Sequence, residues 1–135
     1  MRKLTDHIVP GKVHCNTIDC TDAPGDGGAH HRYEITGFDT IGNKSSTDSE
    51  GLQNRHTRLV MMFQNGPIGE GNPPNGIHQE DLLAICIHRL RCFQDGPFKC
   101  RENAIALTHL EDALMWLQKR TRDRMARGVE GTHAV

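Results

Sequence analysis

The sequence predicts a small α+β protein, in which an antiparallel sheet from the N-terminal half packs with a C-terminal antiparallel two-helix hairpin. Short segments before residue 68 alternate apolar and polar side chains, as half-buried strands do. Two long segments after residue 78 have apolar residues at helical spacing. With 135 residues the chain fits one domain, 1–135, made of a β-rich part (12–68), a helical hairpin (78–127) and a tail (128–135).

Three segments of the N-terminal half read as strands. Residues 1–11 carry no pattern and are predicted to be frayed, whereas residues 12–22 form a weakly alternating strand. His31–Phe38 alternates more clearly, and Thr57–Gln64 is the strongest strand. Residues 39–54 are polar and small, so they cannot bury apolar area, and we expect a mobile loop there.

Two helices follow, from about His78 to Gln94 and from Arg101 to about Arg124. Gly96 and Pro97 end the first helix, because glycine favours the position after a helix and proline cannot continue one. The short break makes the helices antiparallel. The second helix carries a heptad-like seam for a packed partner, formed by Leu107, Leu110, Leu114 and Leu117.

Composition indicates a homo-oligomer. Only 36% of the residues are hydrophobic and 4% are aromatic, so the core of a monomer would be thin. The net charge of −1 and the pI near 6.7 argue against binding to DNA. The longest apolar run, Leu82 to Ile87, is too short to cross a membrane, and no secretion signal opens the chain, so we expect a cytosolic protein.

The end of the second helix is rich in arginine. Arg120, Arg124 and Arg127 follow a spacing that places them on one helical face. Cations at a helix C-terminus are stabilised by the macrodipole, which accounts for one or two of them. Three stacked like charges repel unless an anion lies among them, and guanidinium groups match phosphate oxygens. A phosphate-bearing ligand and a solvated charged face are therefore both open interpretations.

Two residues near the hairpin turn have similar alternatives. Phe93 is either a core residue or a surface on which a purine stacks. Asn103 lies on the leucine seam, four residues before Leu107, so its amide must find internal partners or bind the base or ribose of a ligand.

Catalytic, cofactor and metal sites are not predicted. The serines lie only in the loop of residues 39–54, nothing favours a hydrolase based on His30 or His31, and no glycine-rich phosphate-binding motif occurs. The five cysteines read as reduced thiols. The alternative is a metal site built from His14, Cys15, Cys20 and the His30–His31 pair. It is less favoured because no second closely spaced cysteine pair follows.

Several motifs together resemble a family of phage proteins. They are Phe63-Gln-Asn-Gly-Pro, Asn75-Gly, Leu82-Leu-Ala-Ile, Phe93-Gln-x-Gly-Pro-Phe, Arg101-Glu-Asn-Ala, Leu110-Glu-x-Ala-Leu-x-Trp and Arg120-Thr-x-x-Arg-x-x-Arg-Gly-Val-Glu-Gly-Thr-His. The pattern, over roughly residues 28–133, is similar to the first-described Thoeris anti-defence sponges, which share a helical hairpin with anti-CBASS sponges.

The resemblance implies a non-enzymatic protein in the cytoplasm of the host cell that sequesters immune signalling nucleotides. Such sponges bind cyclic ADP-ribose isomers, and some also bind cyclic di- or trinucleotides at separate sites. They form dimers that can assemble into hexamers. Two rival functions stay open: a hairpin that binds an acidic protein partner, and, with less support, a cyclic-nucleotide phosphodiesterase.

The resemblance also assigns site residues. It implies stacking on Phe93, an amide contact from Asn103 and phosphate contacts from Arg120 and Arg124, all at one end of the hairpin in a pocket enclosed between subunits. Further contacts are expected from Arg58 and Thr132. A second site for cyclic oligonucleotides is expected, from composition, in the loop segment of Gly28, Ala29, His30 and Arg32.

Overall fold

The computed structural model describes residues 2–135 and confirms the α+β class. A four-stranded antiparallel sheet with strand order β1-β2-β3-β4 is followed by two helices. The elements are β1 (Arg2–Leu4), β2 (Thr17–Cys20), β3 (Arg32–Thr36), β4 (Arg58–Met62), α1 (Gln79–Asp95) and α2 (Arg101–Ala126). The chain forms two compact units, one ending at Asn65 and one beginning at Gly66. The predictions that the chain is a single domain and that the sheet packs with the hairpin stay predictions.

The prediction that residues 1–11 are frayed is wrong for β1. Arg2 lies opposite Cys20 and Leu4 lies opposite Ile18, and the ammonium group of Lys3 contacts the carboxylate of Asp19 at 3.2 Å. A strand of three residues is too short to show an alternating pattern, and it forms here through its pairing with β2.

The other three strands lie within their predicted segments. Tyr33 on β3 meets Phe63 edge to face, with ring centroids 5.6 Å apart. In the described part of the chain, only Cys20 and Ile87 are fully buried apolar residues, at 2% and 3% exposure. The expectation of a thin core is therefore confirmed.

The loop of residues 39–54 is held by its own polar groups. The Arg55 guanidinium donates to both carboxylate oxygens of Asp39, at 3.0 and 2.6 Å, and this contact holds the pKa of that carboxyl below its ordinary value. The Asp48 carboxylate accepts the backbone N–H groups of Glu50 and Leu52, each at 2.9 Å. These bonds satisfy backbone groups that an apolar core cannot cover, and the mobility of the loop stays a prediction.

The hairpin forms as predicted, with helix ends that differ by one or two residues. The connection is closed by the Gln94 side chain, which makes two hydrogen bonds of 3.1 Å with the backbone of Cys100. The guanidinium of Arg91 on α1 contacts the carboxylate of Glu111 on α2 at 2.7 Å. The leucine seam of α2 is half-buried. Within the described chain, no helix combines the length and apolar character needed to cross a membrane.

The end of α2 turns the chain back on itself. Gly128 has a left-handed φ of +73°, its N–H donates to the Met125 carbonyl at 3.0 Å, and the Val129 N–H donates to the Arg124 carbonyl at 3.0 Å. These two bonds are those of a Schellman motif, which needs the backbone freedom of glycine. As a result, the tail of residues 128–135 folds over the last turn of the helix.

Candidate ligand-binding site

A cleft of about 520 Å³ opens on α2 between the helix and the folded-back tail. Small-molecule sites typically have volumes of about 300–1,000 Å³, so the cleft has the size of a nucleotide site. We call it the arginine cleft; it is lined by Trp116, Lys119, Arg120, Asp123, Arg124, Arg127 and Val135. A smaller cavity of about 260 Å³ lies in the polar loop near His56.

The helical repeat produces the arginine cleft. Trp116, Arg120, Asp123 and Arg127 are separated by four, three and four residues, which places them along one face. Asp123 is paired with the Lys119 ammonium at 2.7 Å, so its charge is offset locally. The face therefore presents two exposed guanidinium groups beside an aromatic ring that is 62% exposed.

Arg120 and Arg127 differ in the hydrogen bonds of their guanidinium groups. One amine of the Arg127 guanidinium donates to the Val135 main-chain oxygen at 2.7 Å. Across residues 2–135, no hydrogen bond or ion pair engages the Arg120 side chain. Arg120 thus lies on an exposed face of α2, as its spacing predicted, and its phosphate-binding role stays a prediction.

Arg124 has a different environment from the one predicted. Its residue is only 5% exposed, and its Nε donates to the Glu130 carboxylate at 3.0 Å. One terminal nitrogen donates to the carbonyls of Val129 and Thr132, at 3.0 and 2.9 Å, and the other donates to the carbonyl of Ala134. Four of its five donors are thus engaged by the tail. Arg124 anchors the tail in this structure, and its phosphate-binding role stays a prediction.

Thr132 belongs to the same anchored tail. Its hydroxyl donates to the Val129 carbonyl at 2.5 Å and accepts the Ala134 N–H at 3.2 Å. The tail also lies against the connector before α1, where a Cβ added to Gly69 would come within 2.5 Å of the Gly131 carbonyl oxygen. The role of Thr132 in ligand contact stays a prediction.

Phe93 and Asn103 lie at the opposite end of α2 from Arg120. Seventeen residues separate Asn103 from Arg120 in one helix, which corresponds to about 25 Å at 1.5 Å per residue. The expectation that the stacking, amide and phosphate positions meet at one end of the hairpin is therefore wrong for a single chain. It failed because the turn places α1's end beside α2's start, whereas the arginines lie at α2's end.

Each of these two residues is accessible. Phe93 is 39% exposed, so it is not a core residue, and the Arg89 guanidinium lies 5.6 Å from its ring centroid. Asn103 is half-buried, and its backbone N–H donates to the Cys100 sulfur at 3.4 Å. In the described chain, no hydrogen bond engages its carboxamide. Both side chains keep the capacity to contact a ligand.

Arg58 lies in the other compact unit, as the first residue of β4. Its guanidinium contacts the Glu34 carboxylate at 3.2 Å, and its side chain is 62% exposed. Its assignment to the ligand site stays a prediction.

The predicted second site forms a compact loop before β3. Gly28 ends a single turn, Asp26–Gly28, and the Ala29 carbonyl accepts the Gly25 N–H at 2.8 Å. The Arg32 guanidinium donates to the Glu34 carboxylate at 2.9 Å. Glu34 also contacts Arg58 at 3.2 Å, so its single negative charge offsets only part of the positive charge of the two arginines.

His30 in this loop is engaged by Asp22. The His30 Nδ1 lies 2.7 Å from the Asp22 carbonyl oxygen, and the Asp22 carboxylate accepts the His31 and Arg32 backbone N–H groups at 3.0 and 3.2 Å. Burial raises the pKa of the Asp22 carboxyl, but these two N–H groups and the nearby His30 ring lower it more, so its pKa lies below the ordinary value. A second nucleotide site here stays a prediction.

Sequence reasoning missed the contribution of Trp116 to the cleft. Trp116 lies four residues before Arg120, and this spacing places both side chains on the same face of α2. That spacing was the available signal for Trp116.

The fold and the cleft define a class: a small α+β protein whose helical hairpin carries an open, arginine-lined cleft. Residues 55–122 match the family model described as "Acb2/Tad1, hairpin domain", which spans about half of the chain. The chain therefore belongs to the Acb2/Tad1 hairpin-domain family, as the resemblance implied.

One curated relative is Thoeris anti-defense 1 of Bacillus phage SBSphiJ7, which is 59% identical over 74 residues. The match covers 55% of this chain and 51% of that protein, so the chain spans about half the length of this relative. Phe93, Asn103, Arg120 and Arg58 lie inside the family match, whereas Arg124 and Thr132 lie beyond it.

Proposed function

We propose that this protein is a phage anti-defence protein that captures a host immune signalling nucleotide of the cyclic ADP-ribose type and releases it unchanged. The observation that carries the proposal is the arginine cleft, an open cationic face beside an exposed tryptophan on the hairpin of this family. The relative named Thoeris anti-defense 1 supports the biological setting.

The chemistry of the cleft suits a nucleotide phosphate. Arg120 and Arg127 lie about two helical turns apart, close enough for both to contact one pyrophosphate. Guanidinium groups bind phosphate oxygens in pairs, with charge-assisted hydrogen bonds about twice as strong as neutral ones. The exposed face of Trp116 offers a surface for a purine.

The complete site requires a second copy of the chain. Phe93 and Asn103 lie about 25 Å from Arg120 along one hairpin, farther than one nucleotide can bridge. Two hairpins packed antiparallel would bring Phe93 of one copy beside Arg120 of the other. The exposed apolar side chains of the hairpin support such an interface: Ile85, Phe98, Ile105, Met115 and Trp116. We therefore include a dimer, which can assemble further into a hexamer, in the proposed function.

Tight binding also requires that the nucleotide be enclosed. A sponge must outcompete the host effector, which calls for nanomolar binding, about −12 kcal/mol. Exposed ion pairs contribute only about 0–1 kcal/mol each, so Arg120 and Arg127 on an open face would not suffice. Burial of the ligand between two copies, with stacking on Phe93, would supply the difference.

Calorimetry with cyclic ADP-ribose isomers and cyclic di- and trinucleotides tests the proposal. Arg120→Ala should weaken binding of the cyclic ADP-ribose isomer at least tenfold, and Arg122→Ala, which removes an exposed arginine outside the cleft, should leave it unchanged. The oligomer should persist in both variants by sedimentation. If folded protein binds none of these nucleotides below micromolar concentration, the sponge function is lost, and an acidic protein partner becomes the better hypothesis.

Complementation tests the composite site. Phe93→Ala and Arg120→Ala proteins should each bind poorly. After the two are unfolded and refolded together, a mixed dimer places both lesions in one site and leaves the other site intact, so about a quarter of all sites should recover. No recovery would mean that Phe93 and Arg120 do not share a site across copies.

Two further points belong to the proposal. Bound nucleotide should be recovered chemically intact after heat denaturation, whereas a cleaved product would favour the phosphodiesterase.

A second site for cyclic oligonucleotides at Gly28, Ala29, His30 and Arg32 rests on the loop's composition and on the family resemblance. It requires that Arg32→Ala weaken trinucleotide binding while Arg120→Ala does not.

A further inference from the structure

We infer that Cys20, Asp22 and His30 form a zinc-binding site at the end of β2, in the compact unit that does not contain the hairpin. One ligand atom from each residue, the thiol sulfur, a carboxylate oxygen and an imidazole nitrogen, lies within 4.8 Å of the others. This inference departs from the sequence-based prediction that the chain holds no metal, and it does not depend on the proposed nucleotide function.

The backbone brings the three ligands together. Cys20 is the last residue of β2, and Asp22 follows two positions later. The chain then loops back through the Gly25–Ala29 hydrogen bond of 2.8 Å, which returns His30 to the same place. The backbone positions of the three ligands are therefore held by the β2–β3 pairing and by the hydrogen bonds of the loop.

The donor set favours zinc over harder cations. Thiolate and imidazole are soft or borderline ligands that bind zinc, whereas calcium and magnesium prefer oxygen ligands alone. Cys20 is a free thiol that is 2% exposed, so it is shielded from oxidation. Three protein ligands leave the fourth tetrahedral position for water.

Only small changes are needed for an ion to enter. The His30 Nδ1 lies 3.6 Å from the Asp22 carboxylate and now contacts the Asp22 carbonyl oxygen at 2.7 Å. Binding would replace that hydrogen bond, in which Nδ1–H donates to the carbonyl, by a bond from the Nδ1 lone pair to zinc. The imidazole would then carry its proton on Nε2, and the Cys20 thiol would release its proton. The ion would then link the end of β2 to the start of β3.

Cobalt substitution tests the site, because a thiolate ligand to Co²⁺ gives a charge-transfer absorption band. The measurement uses a Cys92→Ser background, since the Cys92 sulfur lies 3.8 Å from the His88 Nε2 on α1 and this pair would also bind metal. We expect one Co²⁺ per chain, displaced by Zn²⁺. Cys20→Ser should abolish the band, His30→Gln should weaken binding at least tenfold, and Cys86→Ser, which removes an exposed thiol, should change neither.

Two results would overturn the site. One is a Cys92→Ser protein that shows no stoichiometric band; the other is a band that survives both Cys20→Ser and His30→Gln. If Cys20→Ser does not fold, His30→Gln decides alone, because its imidazole is partly exposed and its main structural contact is one hydrogen bond. As an independent measure, Zn²⁺ should raise the thermal midpoint of the Cys92→Ser protein, and a chelator should reverse the rise.

Discussion

Replacing Arg124 by alanine removes the group that holds the tail against α2. Four hydrogen bonds are lost, one of them to the Glu130 carboxylate. A hydrogen bond to a charged group contributes about 1.5–3 kcal/mol, and breaking a pair of two buried ions costs about 3–5 kcal/mol, but the Glu130 side chain is 41% exposed. Because the freed carbonyls of a tail can reach water, the loss should lie near the lower end, at about 3 kcal/mol.

Urea and thermal unfolding measure this loss. For a chain of this size, about 3 kcal/mol corresponds to a fall in Tm of about 10 °C. Arg122→Ala is the matched control, because Arg122 is exposed on the same turn and should change stability by less than about 0.5 kcal/mol. Limited proteolysis should cut residues 128–135 faster in the Arg124 variant only.

Arg124→Lys separates charge from geometry. A lysine keeps the charge but cannot reach four acceptors from one planar group, so it should recover less than half of the lost stability. If Arg124→Ala matches Arg122→Ala in unfolding free energy and in tail proteolysis, the anchoring role is refuted. The remaining explanation would then be a free guanidinium that binds phosphate, as the family resemblance implies.

Two further variants test other contacts. Gly131→Ala should destabilise the protein by about 1–3 kcal/mol in urea unfolding, because the new Cβ would come within 2.8 Å of the Gly69 nitrogen at a φ of +78°. Gly71→Ala, with φ +91° and no neighbour within 4 Å of its Cβ, is the control for backbone strain alone. Equal losses of stability in the two variants would exclude the clash. The pKa of the Asp39 carboxyl is lowered by the Arg55 guanidinium, so its contribution to stability is present above the ordinary pKa of an aspartate and is lost as pH falls through the lowered folded pKa. Asp39→Asn should therefore flatten the acid limb of a stability–pH curve. An unchanged limb would show that the contact with Arg55 does not stabilise the fold.

Local patterns were sufficient for much of this protein. Hydrophobic spacing identified both helices, and Gly96 with Pro97 marked the break between them, since these signals act within a few residues of each other. The spacing of the arginines also placed Arg120 on an open face of α2. The family resemblance rested on the same local runs of residues.

Other features were decided by contacts between distant parts of the chain. The strand β1 exists through its pairing with β2, and no property of Arg2, Lys3 or Leu4 alone indicates it. Arg124 has the same spacing as its neighbours, yet the tail folds over it and engages its donors. Spacing reports which face of a helix a residue occupies, but what covers that face depends on how the rest of the chain folds.

The candidate site, too, was only partly predictable from the sequence. From the sequence alone, Phe93, Asn103 and Arg120 were each identified as residues able to contact a nucleotide. Their positions in the helices then separate Phe93 and Asn103 from Arg120 by about 25 Å, because an antiparallel hairpin places its turn and its open end at opposite ends of a rigid helix. The residue types were thus determined by the sequence, whereas the distance between Phe93 and Arg120 along one hairpin emerged only from the tertiary structure.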